Sequence, residues 1–237
     1  MTSMPDLPTN SPSTKAVAAV IPAYQAARSV GAVVRGTREI LAEVLVIDDG
    51  STDGTREVAA QAGARVLVQP KNLGKGAGLR RAFDDLFGRG FEQVVTLDAD
   101  GQHLPEEIPK LLLAEPEADL LLGVRDHLFG EMGAVRRASN RLSSRAISWA
   151  AGRPLPDIQT GFRRYDRQLI ETVGFPEDRF EAESAVVVRA ARRGFSIAAI
   201  PVRLGFVDGR KTSHFRPLVD SLRIAHAVIR ARSETRR

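Results

Sequence analysis

The chain contains no cysteine. That absence removes disulfides, thiolate metal sites, iron–sulfur clusters and cysteine nucleophiles together, and it suits the reducing cytoplasm. No run reaches the roughly 18 uncharged apolar residues of a transmembrane helix, so a membrane-spanning protein is not expected. Met1 to Lys15 are rich in Ser, Thr, Pro and Asn and lack an apolar h-region. They read as a disordered arm rather than a signal peptide, which argues against export. The 20 glycines and 13 prolines are too few and too scattered for a collagen-like or low-complexity chain. No internal repeat or linker divides the sequence.

What is present is 237 residues, 43% hydrophobic and 27% charged, enough to bury a sizeable core. Short runs rich in Val, Ile and Leu alternate with stretches of helical spacing, the pattern of βα units around a mostly parallel sheet. Strands are predicted at Ala16 to Pro22, Val44 to Asp48, Ala64 to Val68, Gln93 to Leu97 and Asp119 to Val124. Helices are predicted at Ala27 to Leu41, Thr55 to Ala62, Gly76 to Phe87, Pro105 to Leu113, Val135 to Trp149 and Glu181 to Arg193. Gly152 to Tyr165 reads as an irregular segment punctuated by Pro and Gly. The expected organisation is an arm over residues 1–15, one α/β domain over 16–214, and a basic amphipathic helix and tail over 215–237.

Residues 203–237 hold nine Lys or Arg against three Asp or Glu, so the whole net charge of +5 resides in the tail. Such a tail suits an anionic surface, membrane or nucleic acid, although a solvated basic terminus is the plainer reading. Its last helix carries Phe215, Leu218, Val219, Leu222, Ala225 and Ile229 on one stripe, with Arg216, Asp220, Arg223 and Arg230 to one side.

In a parallel α/β sheet the ligand lies beyond the carboxyl ends of the strands, and the unusual residues cluster there. Asp98 and Asp100 follow a predicted strand with i, i+2 spacing, which places both carboxylates on one side. Paired carboxylates with free coordination positions suit Mg²⁺ or Mn²⁺ completed by a substrate diphosphate, whereas a lone D-x-D is more often a solvated turn. Asp48 to Gly54 ends the second strand with turn and cap residues, and one of its carboxylates could accept hydrogen bonds from a nucleoside. Lys71 to Gly78 joins backbone N–H groups, a lysine and a helix start, the ingredients of an anion site. It is neither a Walker A loop nor a dinucleotide fingerprint. Arg136, Arg137, Asn140, Arg141 and Arg145 lie on one predicted helix, where guanidinium groups could hold a phosphate or simply form a solvated face. Glu181 and Glu183 are candidates for a general base.

Five segments in this order resemble the family 2 glycosyltransferases of the GT-A fold, in particular the dolichol-phosphate mannosyltransferase and dolichyl-phosphate glucosyltransferase branch. They are Val20 to Tyr24, Val46 to Thr55, Asn72 to Gly76, Asp98 to Gln102 and Gln159 to Arg163. The resemblance covers residues 16 to about 215. It implies that Pro22, Tyr24, Asp49 and Lys75 line a nucleotide pocket, with Asp98, Asp100 and Gln102 on the metal and diphosphate. It further implies catalytic roles for Arg137 and Arg163, and an acceptor site built from Arg136, Arg137, Asn140 and Thr160.

The sequence departs from the family at two points. Tyr24 is followed by Gln25-Ala26 in place of Asn-Glu, and Ser213-His214 stands in place of Ser-Lys, which makes His214 a candidate diphosphate contact. The reaction expected is inverting transfer of a sugar from a UDP- or GDP-linked donor to a polyprenyl phosphate at the cytoplasmic membrane face, with the basic helix on the membrane and no nucleic-acid partner. A hydroxyl acceptor served by Glu181 or Glu183, and a non-catalytic nucleotide-sugar-binding module, are the alternatives.

Overall fold

The computed structural model describes residues 15–124, 146–155, 158, 160–205 and 217–234, with no side-chain description for 217–221. A seven-stranded sheet runs through it in the order β3-β2-β1-β4-β6-β5-β7. The strands are β1 (Val17–Ala23), β2 (Val44–Asp48), β3 (Arg65–Val68), β4 (Gln93–Thr96), β5 (Leu120–Val124), β6 (Arg163–Asp166) and β7 (Ile197–Pro201). β1, β2, β3 and β4 pair in parallel. β6 is antiparallel to both its neighbours, and β5 pairs in parallel with β7.

β1, β2 and β4 form where near-continuous apolar runs can be buried on both faces, while β3 is a half-exposed edge strand. Along β1 and β2, Ala18, Val20, Leu45 and Ile47 enter one core, while Ala19, Ile21, Val44 and Val46 enter the core on the opposite face. This is the two-residue alternation of a pleated strand. Helix α1 (Val30–Arg38) covers the second face with Val30, Val33, Val34 and Thr37. Helix α3 (Lys75–Gly88) covers the first with Leu79, Ala82, Phe83 and Leu86, so both helices show the i, i+3, i+4, i+7 spacing of an apolar stripe. α2 (Thr55–Gln61) and α4 (Ile108–Leu113, preceded by a 3₁₀ turn) complete the first half.

The second half contains α5 (Arg167–Val173), α6 (Glu181–Arg192) and α7 (Pro217–Glu234). Residues 146–151 are helical, which is the described end of the helix expected from Val135; its earlier part lies outside the described residues. The segment expected to be irregular up to Tyr165 instead ends in β6, a strand at the middle of the sheet. Its sequence, Arg-Arg-Tyr-Asp, hides this, because arginines rarely occupy strands buried on both faces. Arg163 and Arg164 are 1% and 0% exposed. Arg164 binds the carbonyls of Leu111, Glu115 and Ala118 at 2.7–2.9 Å and so shapes the turn between α4 and β5. β7 is a second strand that the hydropathy pattern does not announce.

α7 answers the question of where its apolar residues go. Ala227, Val228 and Ala231 are buried in the core beside α6, while Leu222 and Ile229 are 74% and 58% exposed. The helix therefore docks through its small residues and leaves its large apolar ones outside. Arg189, 2% exposed, fixes that docking through Glu234 of α7 (3.0 Å) and Glu177 ahead of α6.

Candidate active site

The carboxyl ends of β1, β2 and β4 lie along one sheet edge, since Ala23 pairs with Asp48 and Val20 with Thr96. β6 runs the other way, so its amino end arrives at the same edge, with Arg163 opposite Thr96. Thr96 Oγ1 donates to the Gly161 carbonyl at 2.8 Å and joins the two segments. Residues far apart in sequence, Asp98 and Gly161, are brought into contact in this way.

At the centre is a charged cluster. The Lys75 ammonium, at the start of α3, lies 2.7 Å from Asp98 Oδ1 and 3.0 Å from Glu183 Oε2. Burial alone would lower the Lys75 pKa, but the two carboxylates outweigh it and hold the group well above the ordinary lysine range. Lys75 is therefore a fixed cation. Gly161 makes the approach possible: a Cβ there would stand 2.5 Å from Asp98 Oδ2 and 2.8 Å from Lys75 Nζ. Only glycine fits. Beyond Asp98 the chain turns, and Asp100 Oδ1 accepts the Gln102 N–H at 2.9 Å. β4 has already ended at Thr96, so the two aspartates are placed by a turn rather than by strand alternation.

A Mg²⁺ or Mn²⁺ ion can be tested against this donor set. Asp98, Asp100 and Gln102 offer hard oxygen ligands at one strand end, as such ions require. Among the described residues no group of three His, Asp or Glu side chains gathers in one place, so an ion held here would need further ligands, which substrate oxygens and water can supply. The residues fit an ion shared with a diphosphate.

Sequence reasoning placed other residues in this pocket whose side chains serve its frame. Asp49, 7% exposed, accepts N–H bonds from Leu73 (2.7 Å) and Gly74 (2.8 Å), and Gln69 Nε2 donates to it at 2.8 Å. Burial raises its pKa, against the pull of those donors. Its carboxylate anchors the loop before α3 instead of standing open to a nucleoside. The same bonds engage part of the Lys71 to Gly78 segment expected to form a backbone anion site. The Leu73 and Gly74 N–H groups face Asp49, and that of Ala77 donates to the Asp178 carbonyl.

Ser51, Thr52, Asp53 and Thr55 are likewise structural. They bind the backbone or side chains of Gln25, Ala26 and Ala27, and Gln25 pairs with Thr52 through both ends of its amide. The departure at Gln25 thus has a structural role. Its backbone sits at φ 52°.

Arg163, expected to be catalytic, is 1% exposed. Its guanidinium donates to the carbonyls of Ile158, Thr160 and Glu183 at 2.6–2.7 Å, and Tyr165, whose hydroxyl it also approaches, is pushed up to about 12 by burial. The expected catalytic arginine is a buried tie between β6, the segment before it and α6. Thr160, 6% exposed, accepts the Phe162 N–H through Oγ1. Pro22 and Tyr24 are half-buried at the end of β1, beside this edge. Glu183 enters the site through Lys75, whereas Glu181 is half-buried with Oε2 lacking a hydrogen bond. Arg136, Arg137, Asn140, Gln159 and His214 lie outside the described residues.

One site residue escapes sequence reasoning. His103, 1% exposed, accepts the Asp98 N–H through Nδ1 at 3.1 Å and stacks on Phe162 with 5.4 Å between ring centroids. It orients the backbone of Asp98. The only signal was its position directly after Asp98 to Gln102, and a lone histidine in a loop carries little weight.

This edge-bound acidic turn on a mostly parallel sheet is the architecture of the GT-A glycosyltransferases. The solved structures agree: glucosyl-3-phosphoglycerate synthase from Mycobacterium tuberculosis, in complex with phosphoglyceric acid, superposes with a TM-score of 0.70 at 20% identity, over 93% of this chain and 80% of that one. The same enzyme with Mn²⁺, UDP and phosphoglyceric acid gives 0.69. The model for glycosyl transferase family 2 matches residues 18–174, and the chain belongs to that family.

Curated relatives include glycosyltransferase AglJ of Haloferax volcanii, 36% identical over 80% of this chain and 63% of the relative. The chain thus spans a little under two thirds of AglJ. Undecaprenyl-phosphate mannosyltransferase of Micrococcus luteus is 32% identical over 78% of this chain and 82% of its own. Polyprenol monophosphomannose synthase of Mycolicibacterium smegmatis is 30% identical over 77% and 75%.

Proposed function

We propose that this chain transfers one sugar, with inversion, from a UDP- or GDP-linked donor to a polyprenyl phosphate at the cytoplasmic face of a membrane. The observation that carries the donor half is the Asp98–Lys75 pair with Asp100 at the strand edge, two carboxylates and a cation where a diphosphate would lie. The names of the relatives support the acceptor class. In this reading an acceptor phosphate oxygen attacks the anomeric carbon from the face opposite the diphosphate. The new C–O bond forms as the old one breaks, and its electron pair leaves with the nucleoside diphosphate.

The phosphate oxygen is already anionic and needs no general base. Glu183 is engaged by Lys75 and is not poised to remove a proton, which favours a phosphate over a hydroxyl acceptor. Asp98, Asp100 and Gln102 would hold a Mg²⁺ or Mn²⁺ ion, which when bound supplies positive charge against the departing diphosphate. Lys75, at the start of α3 in the same cluster, adds a second positive charge.

A lipid acceptor requires contact with the bilayer. Among the described residues no helix is long and apolar enough to cross one. The outer face of α7 supports a peripheral contact instead. Leu222 and Ile229 are exposed there, Arg223 and Arg230 flank them, and exposed Trp149 lies 4.2 Å from the Arg232 guanidinium. Apolar residues with arginines beside them suit an anionic interface, each near-surface cation contributing about 1 kcal/mol.

The deciding experiment is a thermal-shift panel of UDP and GDP sugars with Mg²⁺ or Mn²⁺, followed by transfer to a polyprenyl phosphate. A ligand that binds only the native state raises the midpoint. A metal-dependent rise with one nucleotide series and sugar-lipid formation are expected; no rise with any of them would refute the donor site.

A further inference from the structure

Lys75 lies between two unlike carboxylates. The Asp98 side chain is 35% exposed and faces the site, whereas that of Glu183, in the first turn of α6, is 11% exposed. Glu183 uses Oε2 on Lys75. Its Oε1 is buried without a hydrogen bond, and Arg163 Nε stands 4.0 Å away. A buried carboxylate oxygen without a donor is unfavourable until one arrives. Lys75 carries three donors on a flexible stem, so this oxygen can take a donor that Asp98 gives up.

We propose that Glu183 is a positioning residue that draws Lys75 away from Asp98 when a divalent cation and the donor diphosphate enter, freeing the Asp98 carboxylate to face them. This rests on the assignment of Asp98 and Asp100 to the diphosphate given above. Counting Lys75, Arg163, Asp98, Asp100 and Glu183 among the described residues, the formal charge of the cluster is one negative. Removing the Glu183 charge makes it neutral and leaves Asp98 as the sole carboxylate partner of Lys75. A dication is then attracted less, and a metal-free anion is attracted more. Opposite effects on two ligands are not what a general loss of packing produces.

The variant is Glu183→Gln. Mn²⁺ binding is read by electron paramagnetic resonance with whichever of UDP or GDP the wild-type chain binds, and nucleotide binding without metal is read by calorimetry in EDTA. The apparent Mn²⁺ dissociation constant should rise about tenfold. The metal-free nucleotide constant should stay level or fall. Adding Lys75→Gln to Glu183→Gln should return Mn²⁺ affinity to within about threefold of wild type, a non-additive pair.

Equal weakening of both ligands, or no change in either, would overturn the proposal. Should Glu183→Gln fail to fold, Lys75→Gln alone decides: tighter Mn²⁺ binding is expected, and unchanged or weaker binding counts against it. A wild-type chain that binds neither nucleotide with Mn²⁺ refutes the donor-site reading itself, which keeps the two failures apart.

Discussion

Two parts of the molecule hold their site residues by different means. Around the ends of β1 and β2, short polar side chains bind nearby backbone: Ser51, Asp53 and Thr55 hold residues 25–27, and Asp49 holds Leu73 and Gly74. Around β6 and α6, three buried arginines do the work. Arg163 and Arg164 bind backbone carbonyls, and Arg189 bridges Glu177 and Glu234. The first arrangement is written in compact motifs. The second joins segments distant in sequence and leaves almost no local pattern, because a long guanidinium can serve carbonyls from several loops at once.

The comparison predicts where stability and chemistry separate. The largest effect should come from Arg163→Met, which strands the carbonyls of Ile158, Thr160 and Glu183. At about 1–3 kcal/mol for each unsatisfied buried group, urea unfolding should show a loss of roughly 3 kcal/mol or more. A stable variant that lost only transfer would return Arg163 to a substrate role and erase the contrast.

Asp100→Ala tests the other side. Asp100 accepts the Gln102 N–H in a half-buried turn, so stability should change by about 1 kcal/mol, well below the loss in Arg163→Met. Transfer should fall by at least about 10²-fold, as when a charge-stabilising group is removed. Calorimetry with nucleoside diphosphate and Mn²⁺ reads the same loss without turnover. Unchanged metal-dependent binding would remove the metal assignment.

Deleting α7 would take Ala227, Val228 and Ala231 out of the core, so the membrane contact is better tested on its outer face. Leu222→Asp with Ile229→Asp should leave the melting midpoint in place and reduce co-sedimentation with anionic vesicles several-fold, since two large apolar groups are replaced by charges of the wrong sign. Unaltered sedimentation would mean that this face does not meet the bilayer.

The smallest effect separates the two regions by pH. Glu43 is held below the usual carboxylate range by its hydrogen bond from Arg89, with Arg65 adding to it against the cost of burial. A lowered native pKa contributes stability above the unfolded value of about 4.3, and that stability is lost as pH falls through the native value. Glu43→Gln should therefore cost up to about 1 kcal/mol at pH 7, a difference that closes on acidification below about pH 4.3. The loss in Arg163→Met should persist through that range, because carbonyl partners do not titrate there. Thermal melts of both variants from pH 7 to 3.5 would show whether the two regions diverge.

How much was legible in the sequence follows the same division. The apolar runs of β1, β2, β4 and β5 and the helices between them are readable because each is a local pattern of burial. The turn at Asp98 to Gln102 is readable because two carboxylates with i, i+2 spacing directly follow an apolar run at the carboxyl end of a strand, where ligands of such sheets lie. The roles of Asp49 and Ser51 to Thr55 are only half readable, since a residue that caps a loop and one that meets a ligand are the same residue types. β6 is illegible: Arg-Arg-Tyr-Asp becomes a central strand only because distant carbonyls receive both guanidinium groups.

The sequence by itself determined the α/β alternation, the acidic strand end and the family, since these reside in short stretches whose local chemistry is sufficient. Only the tertiary structure decided that Glu183 reaches Lys75, that Gly161 lies against the Asp98 and Lys75 side chains, and that α7 turns its small residues inward. Each of these depends on distances between segments separated by 60 residues or more in the chain or on a helix finding its neighbour, and no local pattern encodes them.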